Sequence, residues 1–359
     1  MPGPFGLIDG HEQIVYGNDA SAGLRCMIAI HSTDLGPALG GTRFFPYKTE
    51  QEALADVLRL SRAMTYKASC AGLDLGGGKA VIIGNPATDK NEALLRSYGR
   101  LVESLGGRYV TACDVGTTPP DLSIVRRETR WATGADAAEG GSGDSAVLTA
   151  YGTFVGIQAC LERVFDTDMV RGRHVAIQGV GKVGGRLAGL LFQAGARLSI
   201  ADAAPELAEM GAERYKAEIV AIDKIHAVDA EVFSPNALGG IISPTTVDDL
   251  QCRIVAGAAN NQLLSADDGE ALAAAGILYA PDFVINAGGL IQVADELHPE
   301  GFNPDRVRER VDQIGPRLHQ IFDEAARSGV SNAAAADRLA ELRIKQEGNP
   351  VRFRLPGVE

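Results

Sequence analysis

Residues 173–202 read RHVAIQGVGKVGGRLAGLLFQAGARLSIAD, and this stretch predicts how the second half of the chain folds. An apolar run, HVAIQG, is followed at once by glycines at 179, 181 and 184. The next segment carries leucines at 187, 190 and 191, a spacing typical of a helix. A second apolar run ends at Asp202, 23 residues after Gly179. The order of strand, glycine turn, helix and strand predicts a parallel β-α-β unit.

The glycine turn matches the dinucleotide fingerprint in its whole context, because it follows a strand and opens a helix. Gly179 permits a tight turn, Gly181 lets the backbone approach a pyrophosphate, and Gly184 lets the helix pack closely on the strand. Backbone N–H groups at the helix start, where Lys182 and Val183 lie, favour an anion. The alternative is a glycine turn that serves packing alone.

Asp202 indicates which dinucleotide binds. A carboxylate at the end of the second strand accepts hydrogen bonds from the adenosine ribose. The following residues, ADAAPEL, contain no Arg or Lys, so a 2′-phosphate would meet a negative charge. The sequence therefore favours NAD over NADP.

The rest of the chain predicts an α/β protein of two domains. Short apolar runs continue after Asp202 as EIVAI, EVFSP, RIVAG and GILYA, separated by helix-length segments, which predicts a doubly wound parallel sheet. The first half mixes strands at 24–31 and 78–85 with a helix at 49–68. The glycine-rich segment 139–145 marks a domain boundary before a helix at 145–165. Helical stretches at 304–327 and 332–346 could pack back on the first domain.

Composition excludes several classes of protein. The 359 residues carry a net charge of −12, which argues against nucleic-acid binding. The chain has no run of 18 apolar residues, and its start, MPGPFGLIDGHEQ, shows no secretory signal. Five scattered cysteines without a Cys-x-x-Cys pattern predict a reduced, cytoplasmic protein without a structural metal.

Two lysines stand out in MTYKASCAGLDLGGGKAVIIGN (64–85). Three glycines before Lys79 suggest a turn that a ligand approaches closely, and loss of water at the start of the next strand would favour a neutral amine that accepts a proton. Lys67 follows an apolar helical stripe and offers an ammonium to a small carboxylate. The alternative is that Lys67 extends from a helix end into solvent and that Lys79 is an exposed turn residue.

Asp114 follows the predicted strand YVTAC, a position suited to a binding site. A carboxylate there is also common as a turn or helix-capping residue, so its local sequence leaves both interpretations open.

Several segments together resemble the amino acid dehydrogenase superfamily: PALGGTR (37–43), MTYKASC, GGGKAVI, TACDVGTT, GAANNQL (257–263) and NAGGLIQVADE (286–296). They are most similar to the branch that contains the leucine, valine and phenylalanine dehydrogenases. The resemblance implies a substrate domain (1–144), an NAD-binding Rossmann domain (145–320) and C-terminal helices (321–359) that return to the first domain. It also implies a homo-oligomer that converts an L-amino acid, NAD⁺ and water to a 2-oxo acid, ammonium and NADH.

The resemblance implies roles for particular residues. Lys67 and backbone near Gly40 and Gly41 would bind the substrate carboxylate, Lys79 would activate water, and Asp114 would transfer protons to and from the amine. Asn261 would lie beside both nicotinamide and substrate. The cofactor would also contact Ala237, Asn260 and Thr149, and Thr149 would hold its carboxamide.

Three departures from related patterns carry information. Glutamate dehydrogenases hold the substrate's side-chain carboxylate with a lysine and a serine, whose positions here are Leu39 and Val293. Both changes remove polar partners, so an apolar substrate such as valine or leucine is expected, with phenylalanine as the alternative. Asn236 replaces a cysteine found beside the cofactor, which suggests a local change in cofactor contacts.

Two other classes of protein compete with this interpretation. A non-catalytic NAD-binding regulator would be expected to lack Lys67, Lys79 or Asp114, and the sequence retains all three. A hydroxy-acid dehydrogenase usually relies on a catalytic histidine, but the histidines lie outside these motifs, at positions 11, 31, 174, 226, 298 and 319.

Overall fold

The structure, a computed structural model, describes Ile8 and residues 10–348. Most of the N-terminal stretch used to judge a secretory signal lies outside the described residues, as do positions 349–359 of the expected C-terminal segment. The described chain forms two compact units. The first unit holds the described residues up to Asp144, Gln292–Asn303 and those from Ala340 onward, and the second holds Ser145–Ile291 and Pro304–Leu339.

The first unit contains a five-stranded mixed sheet in the order β1-β2-β4-β3-β5. Strand β4 runs antiparallel to β2 and parallel to β3, and β5 is parallel to β3. Parallel neighbours bring the ends of β3 and β5 to one edge, where Asp114 follows β5. The strands are β1 (Gln13–Asp19), β2 (Leu24–Ser32), β3 (Ala38–Phe45), β4 (Gly76–Ile83) and β5 (Tyr109–Cys113).

Three helices cover this sheet: α1 (Glu50–Cys70), α2 (Glu92–Ser104) and α3 (Pro119–Arg126). Helix α1 begins where the capping-box spacing predicts, because the Thr49 hydroxyl accepts the backbone N–H of Glu52 at 3.1 Å. In a complete capping box the Glu52 carboxylate would accept the N–H of Thr49. Here it accepts the N–H of Lys48 instead. The helix packs on β2 and β4 through an apolar face that includes Val57 and Leu58.

The three glycines before Lys79 do not form the expected turn. Gly76, Gly77 and Gly78 are the first residues of β4, and protein neighbours fill the space beside them. A Cβ on Gly77 would lie 2.1 Å from the backbone N of Thr65 in α1, and one on Gly76 would lie 1.9 Å from the Ser32 carbonyl. The glycines thus permit α1 and the adjoining strands to approach β4.

The second unit contains the predicted parallel sheet, in the order β11-β10-β9-β6-β7-β8. Its strands are β6 (His174–Gln178), β7 (Arg197–Ala201), β8 (Glu218–Ile219), β9 (Val232–Pro235), β10 (Ile254–Val255) and β11 (Leu278–Tyr279). The chain runs outward from β6 to β8 and then outward again from β9 to β11. This Rossmann order reverses between β6 and β9, which is where such sheets bind ligands, at the carboxyl ends of the strands.

The remaining helices are α4 (Ala146–Phe165), α5 (Lys182–Gln193), α6 (Pro205–Tyr215), α7 (Pro244–Val247), α8 (Ala266–Ala274), α9 (Asp282–Ile285), α10 (Gly288–Asp295), α11 (Pro304–Asp312), α12 (Ile314–Ser328) and α13 (Asn332–Glu347). One helix was expected at 304–327, but the structure has two. Pro316 explains the break, because a proline removes a backbone donor and its ring clashes with the carbonyl four residues earlier, at Asp312.

The C-terminal segment divides differently from the expected boundaries. Helices α11 and α12 pack on α4 within the second unit instead of returning to the first. The end of α13 belongs to the first unit, where Arg343 donates to the carbonyls of Ser69 and Leu73 at 3.2 and 2.8 Å. The short segment Gln292–Asn303 also belongs to the first unit, although it lies inside the expected Rossmann range.

Within the described residues, the helices are too short or too polar for any of them to cross a membrane.

Candidate active site

Lys79 and Asp114 form an ion pair in the first unit. The Lys79 ammonium lies 2.8 Å from Asp114 Oδ2, with the lysine side chain 8% exposed and the aspartate side chain 20% exposed. Lys79 is the fourth residue of β4, and Asp114 directly follows β5. Two sequence-predicted catalytic residues thus come together, in a pair shielded from most solvent.

A third charge completes this group. Arg43, on β3, donates through Nε to the same oxygen, Asp114 Oδ2, at 3.2 Å. Burial alone would raise the pKa of Asp114, but the charges of Lys79 and then Arg43 outweigh that effect and lower it to about 2. Asp114 is therefore a carboxylate at neutral pH, held between two cations.

Gly40 and Gly41 lie beside this group in an irregular part of the sheet. Among the described strands, β3 pairs with β4 at Leu39 and again at Thr42, and the pairing skips the two glycines between them. A Cβ on Gly40 would lie 1.7 Å from the Gly78 carbonyl, and one on Gly41 would lie 2.9 Å from Asp114 Cβ. The glycines are required because β4 and Asp114 approach the backbone of β3 closely.

Tyr109 fixes the peptide of Gly40. Tyr109 is the first residue of β5 and is fully buried, and its hydroxyl donates to the Gly40 carbonyl at 2.6 Å. Burial raises the pKa of Tyr109 to about 12, so the hydroxyl keeps its proton and remains a donor. Since the C=O and the next N–H of a peptide point in opposite directions, this bond also fixes the N–H of Gly41.

Two further predicted substrate residues, Lys67 and Leu39, differ in exposure. Lys67 lies in the last turn of α1, partly buried, two residues after Thr65, which packs on Gly77. Leu39 is 1% exposed and pairs with Gly77 and Val110 in the sheet. Leu39 thus supplies an apolar side chain where a lysine would supply an ammonium.

Val293 is held in the first unit by polar residues on both sides of it in sequence. Gln292 donates to the Ser142 carbonyl at 2.7 Å, and the Glu296 carboxylate accepts the N–H of Ser142 at 2.8 Å and that of Gly134 at 3.1 Å. A Cβ on Gly134 would lie 3.8 Å from both the Cys113 sulfur and Val293 Cγ1. Val293 is therefore close to the segment that ends in Asp114.

In the second unit, the glycine turn has the geometry that the fingerprint requires. Gly179 has φ 87°, a left-handed conformation that favours glycine, and a Cβ on Gly184 would lie 1.9 Å from the Gly179 carbonyl. Gly181 differs, because no described atom lies within 4 Å of where its Cβ would be. It leaves open space at the N-terminus of α5, which begins with Lys182 and Val183. The turn thus suits a pyrophosphate.

Asp202 follows β7 and is tied to the same turn. Its Oδ2 accepts the N–H of Val180 at 2.7 Å, and its Oδ1 accepts the N–H of Ala204 at 2.9 Å. Each carboxylate oxygen has further lone pairs. The side chain is therefore fixed beside the glycine turn and can still accept hydrogen bonds from a ribose.

The segment after β9 packs against the turn. Ala237 is the neighbour that a Cβ on Gly179 would meet, at 2.8 Å. The Asn236 amide donates to the Ser234 carbonyl at 2.9 Å and accepts the N–H of Ala258 at 3.0 Å. Asn236 therefore joins two loops of the protein, a role that its sequence did not predict.

The asparagine pair lies in the loop that follows β10. Asn260 and Asn261 are both exposed, and Asn261 has φ 52°. The Asn286 amide donates to Asn260 Oδ1 at 2.8 Å, which orients the Asn260 amide with its NH₂ group as a donor. Thr149 donates to the Ser145 carbonyl at 2.9 Å, so its hydroxyl oxygen remains an acceptor suited to a carboxamide.

Sequence reasoning missed Arg43, Tyr109, Glu296 and Asn286. Each lies inside a motif quoted for the resemblance or close to one, and that position was the only sequence signal for a role in the site. Their partners lie tens to more than a hundred residues away, however, and no local pattern identifies those contacts.

Known proteins share this fold and much of this sequence. Residues 11–131 match the family model "Glu/Leu/Phe/Val dehydrogenase, dimerisation domain", and residues 197–348 match "Glutamate/Leucine/Phenylalanine/Valine dehydrogenase". The chain is 50% identical to valine dehydrogenase of Streptomyces virginiae, over 93% of this chain and 94% of that one. It is 48% identical to leucine dehydrogenase of Thermoactinomyces intermedius, over 93% and 91%.

A solved structure agrees with the sequence relatives. The crystal structure of L-tryptophan dehydrogenase from Nostoc punctiforme matches with a TM-score of 0.82 and 43% identity, and covers 94% of this chain and 96% of that one. The chain belongs to the glutamate/leucine/phenylalanine/valine dehydrogenase family. It is accordingly an oxidoreductase of the amino acid dehydrogenase type with a Rossmann domain for a nicotinamide dinucleotide.

Proposed function

We propose that this enzyme catalyses the reversible, NAD-dependent oxidative deamination of an apolar L-amino acid, with valine or leucine preferred. The observation that carries the proposal is the buried Lys79–Asp114 pair beside Gly40 and Gly41, in a family that acts on amino acids. The high identity to valine and leucine dehydrogenases supports the choice of substrate.

The substrate's carboxylate binds Lys67 and the backbone at Gly40 and Gly41. On the β5 side both glycines stay paired, with Thr111 and Ala112. The skipped pairing on the β4 side supports this role, because backbone groups without a partner strand can bind a ligand. Asp114 accepts the amine's hydrogen bond, and the charges beside it keep it ionised for that purpose. Lys79 holds and activates the water that replaces the amine.

The substrate's side chain meets Leu39 and Val293. Neither residue offers a polar atom, so the second carboxylate of glutamate would lose water without gaining a partner. Aliphatic side chains fit this chemistry. The tryptophan dehydrogenase match keeps an aromatic substrate such as phenylalanine or tryptophan as the second candidate.

The dinucleotide binds the second unit. Open space at Gly181 and the N-terminus of α5 suit the pyrophosphate, and Asp202 suits the unphosphorylated ribose of NAD. Asn260, Asn261, Thr149 and Ala237 lie beside the nicotinamide end. NAD⁺, when bound there, would supply the acceptor for the hydride that leaves the substrate's α-carbon.

Two general properties complete the proposal. The matched dimerisation-domain model supports a homo-oligomer. Cysteines that are scattered through the chain and mostly buried support a reducing compartment such as the cytoplasm.

A measurement of both products tests the reaction class. Incubation with leucine and NAD⁺ should release ammonium and NADH in equal amounts. In a parallel incubation with 2-hydroxy acids, a hydroxy-acid dehydrogenase would produce NADH without ammonium. A non-catalytic NAD-binding protein would produce neither product in either incubation. Either result would refute the proposal.

A further inference from the structure

Arg43 has contacts on both sides of its guanidinium. On one side its Nε donates to Asp114 Oδ2 at 3.2 Å, and on the other its Nη1 donates to Asp56 Oδ2 at 2.8 Å. Asp56 lies on α1, and Asp114 follows β5, so one guanidinium joins two elements that are far apart in sequence. A planar fork of donors is suited to this task, whereas an ammonium is a single point charge.

Asp56 is in turn held in place. Its Oδ2 also accepts the Tyr47 hydroxyl at 2.6 Å, and its Oδ1 accepts Arg59 at 2.8 Å. Burial alone would raise the pKa of Asp56, but the Tyr47 hydroxyl and the Arg43 charge lower it. A row of alternating charges therefore runs from Lys79 through Asp114, Arg43 and Asp56 to Arg59.

Both cations next to Asp114 contact the same oxygen. Lys79 and Arg43 approach Oδ2 at 2.8 and 3.2 Å. Two cations from different strands at one oxygen fix the rotation of the carboxylate about its last bond, and they leave Oδ1 outside the two ion pairs. The Asp114 side chain remains one-fifth exposed, so this group is accessible to a small ligand.

We infer that Arg43 is a positioning residue: anchored by Asp56, it holds Asp114 by Oδ2 so that Oδ1 faces the amine of the substrate. The inference rests on the proposed function, since it assigns Asp114 to the substrate amine. In this assignment Arg43 acts through Asp114 and makes no contact of its own with the substrate. Its effect should therefore depend on whether the ligand carries an amine.

A pair of ligands separates this role from general support of the fold. Leucine has the amine, and 4-methylpentanoate is the same molecule without it. Both can be titrated into the enzyme–NADH complex, in which leucine cannot react. Arg43→Ala should weaken leucine binding about tenfold and lower kcat/KM for leucine about 100-fold, as expected for a misplaced contact group. Binding of 4-methylpentanoate should change less than about twofold, because the carboxylate and side-chain contacts remain.

Arg59→Ala is the matched control. It removes an arginine from the same aspartate, but Arg59 contacts Asp56 Oδ1 and is about half exposed. Its leucine binding and kcat should stay near wild-type values, because the Tyr47 hydroxyl and Arg43 still hold Asp56 through Oδ2. Arg43→Lys keeps the charge without the fork and should lie between wild type and Arg43→Ala; it also carries the test if Arg43→Ala does not fold.

Two results would overturn the inference. One is equal weakening of leucine and 4-methylpentanoate in the Arg43 variants, which would indicate a structural role. The other is wild-type leucine binding and kcat in those variants. In either case an active wild-type enzyme would leave the proposed function standing, whereas a wild type without deamination activity would overturn both.

Discussion

At the scale of single residues, the proposed chemistry depends on a lysine that is buried and paired. Lys79 as a whole residue is 6% exposed, and its ammonium lies 2.8 Å from the Asp114 carboxylate, which two cations keep ionised. A buried lysine without a role would be costly, because charged groups are rarely buried unless they are paired. Here the ion pair with Asp114 explains why Lys79 is buried, and the partial exposure of Asp114 leaves the pair open to a small ligand.

Replacement of Lys79 tests its role in the chemistry. Lys79→Ala should reduce kcat for leucine deamination more than tenfold, which corresponds to about 1.4 kcal/mol of transition-state stabilisation. Its affinity for NADH, measured by fluorescence titration, should stay close to wild type. A variant that keeps more than a tenth of the wild-type kcat would contradict the assignment. Lys67→Ala serves as the comparison and should mainly raise KM for the amino acid.

Replacement of Asp202 tests the choice of cofactor. Asp202→Asn removes the charge and keeps an oxygen that can accept the N–H of Val180. Without the negative charge, the ratio of kcat/KM for NAD to that for NADP should fall about tenfold, since one repulsion of about 1–4 kcal/mol is removed. Equal use of the two cofactors by the wild type would show that Asp202 does not discriminate.

At the scale of elements, two glycine-rich segments that look alike in sequence serve different purposes. Protein atoms occupy the space around Gly76–Gly78, and a Cβ on Gly77 would collide with α1. Gly181 faces open space at the start of α5. The first set permits helix–sheet packing, and the second leaves room for a ligand.

Alanine substitutions distinguish these two roles. Gly77→Ala should destabilise the fold by about 1–3 kcal/mol through overpacking, which thermal unfolding would detect. Gly181→Ala should leave the unfolding temperature nearly unchanged and weaken NADH binding. The reverse pattern, a stable Gly77→Ala and an unstable Gly181→Ala, would show that the glycine assignments are exchanged.

This contrast shows what the sequence could predict. The turn at Gly179–Gly184 was predictable because strand, glycines, helix and Asp202 lie within thirty residues of each other. The purpose of Gly76–Gly78 was not, because their neighbours, Ser32, Thr65 and Tyr109, come from three other elements. The break before α12 is a third case: Pro316 is visible in the sequence, and a proline inside a helical stretch is a local signal for such a break.

The same reason limited the candidate site. Lys79, Asp114, Gly40 and Gly41 were identified from motifs, and the structure brings them together in the first unit. Arg43 was inside a quoted motif without a role, because its function depends on Asp56 and Asp114, 13 and 71 residues away. Contacts between distant side chains become visible only when the elements that carry them are packed.

At the scale of the whole molecule, the charge group formed by Lys79, Asp114 and Arg43 links stability to pH. The pKa of Asp114 is lowered to about 2 from 3.8, so its contribution to stability is present above about pH 4 and is lost as the pH falls through about 2. A shift of this size corresponds to roughly 2–3 kcal/mol. The difference in unfolding temperature between wild type and Asp114→Asn should therefore narrow as the pH falls below 4. A difference that stays constant down to the lowest pH at which both proteins fold would contradict the ion-pair description.

The two units divide the chemistry of the enzyme between them. The first carries the charge group, the two backbone glycines and the apolar positions Leu39 and Val293, and the second carries the dinucleotide turn. In the proposed function, the apolar positions decide which amino acids are accepted, and the charge group decides which reaction occurs. A single assay can examine both decisions.

That assay is ammonium-dependent oxidation of NADH with two 2-oxo acids, 4-methyl-2-oxopentanoate and 2-oxoglutarate. Oxidation should require ammonium, and kcat/KM for the apolar acid should exceed that for 2-oxoglutarate at least ~100-fold, because the second carboxylate would be buried without a partner. Oxidation without ammonium, or a kcat/KM for 2-oxoglutarate within tenfold of that for the apolar acid, would contradict the proposed reaction and its apolar pocket.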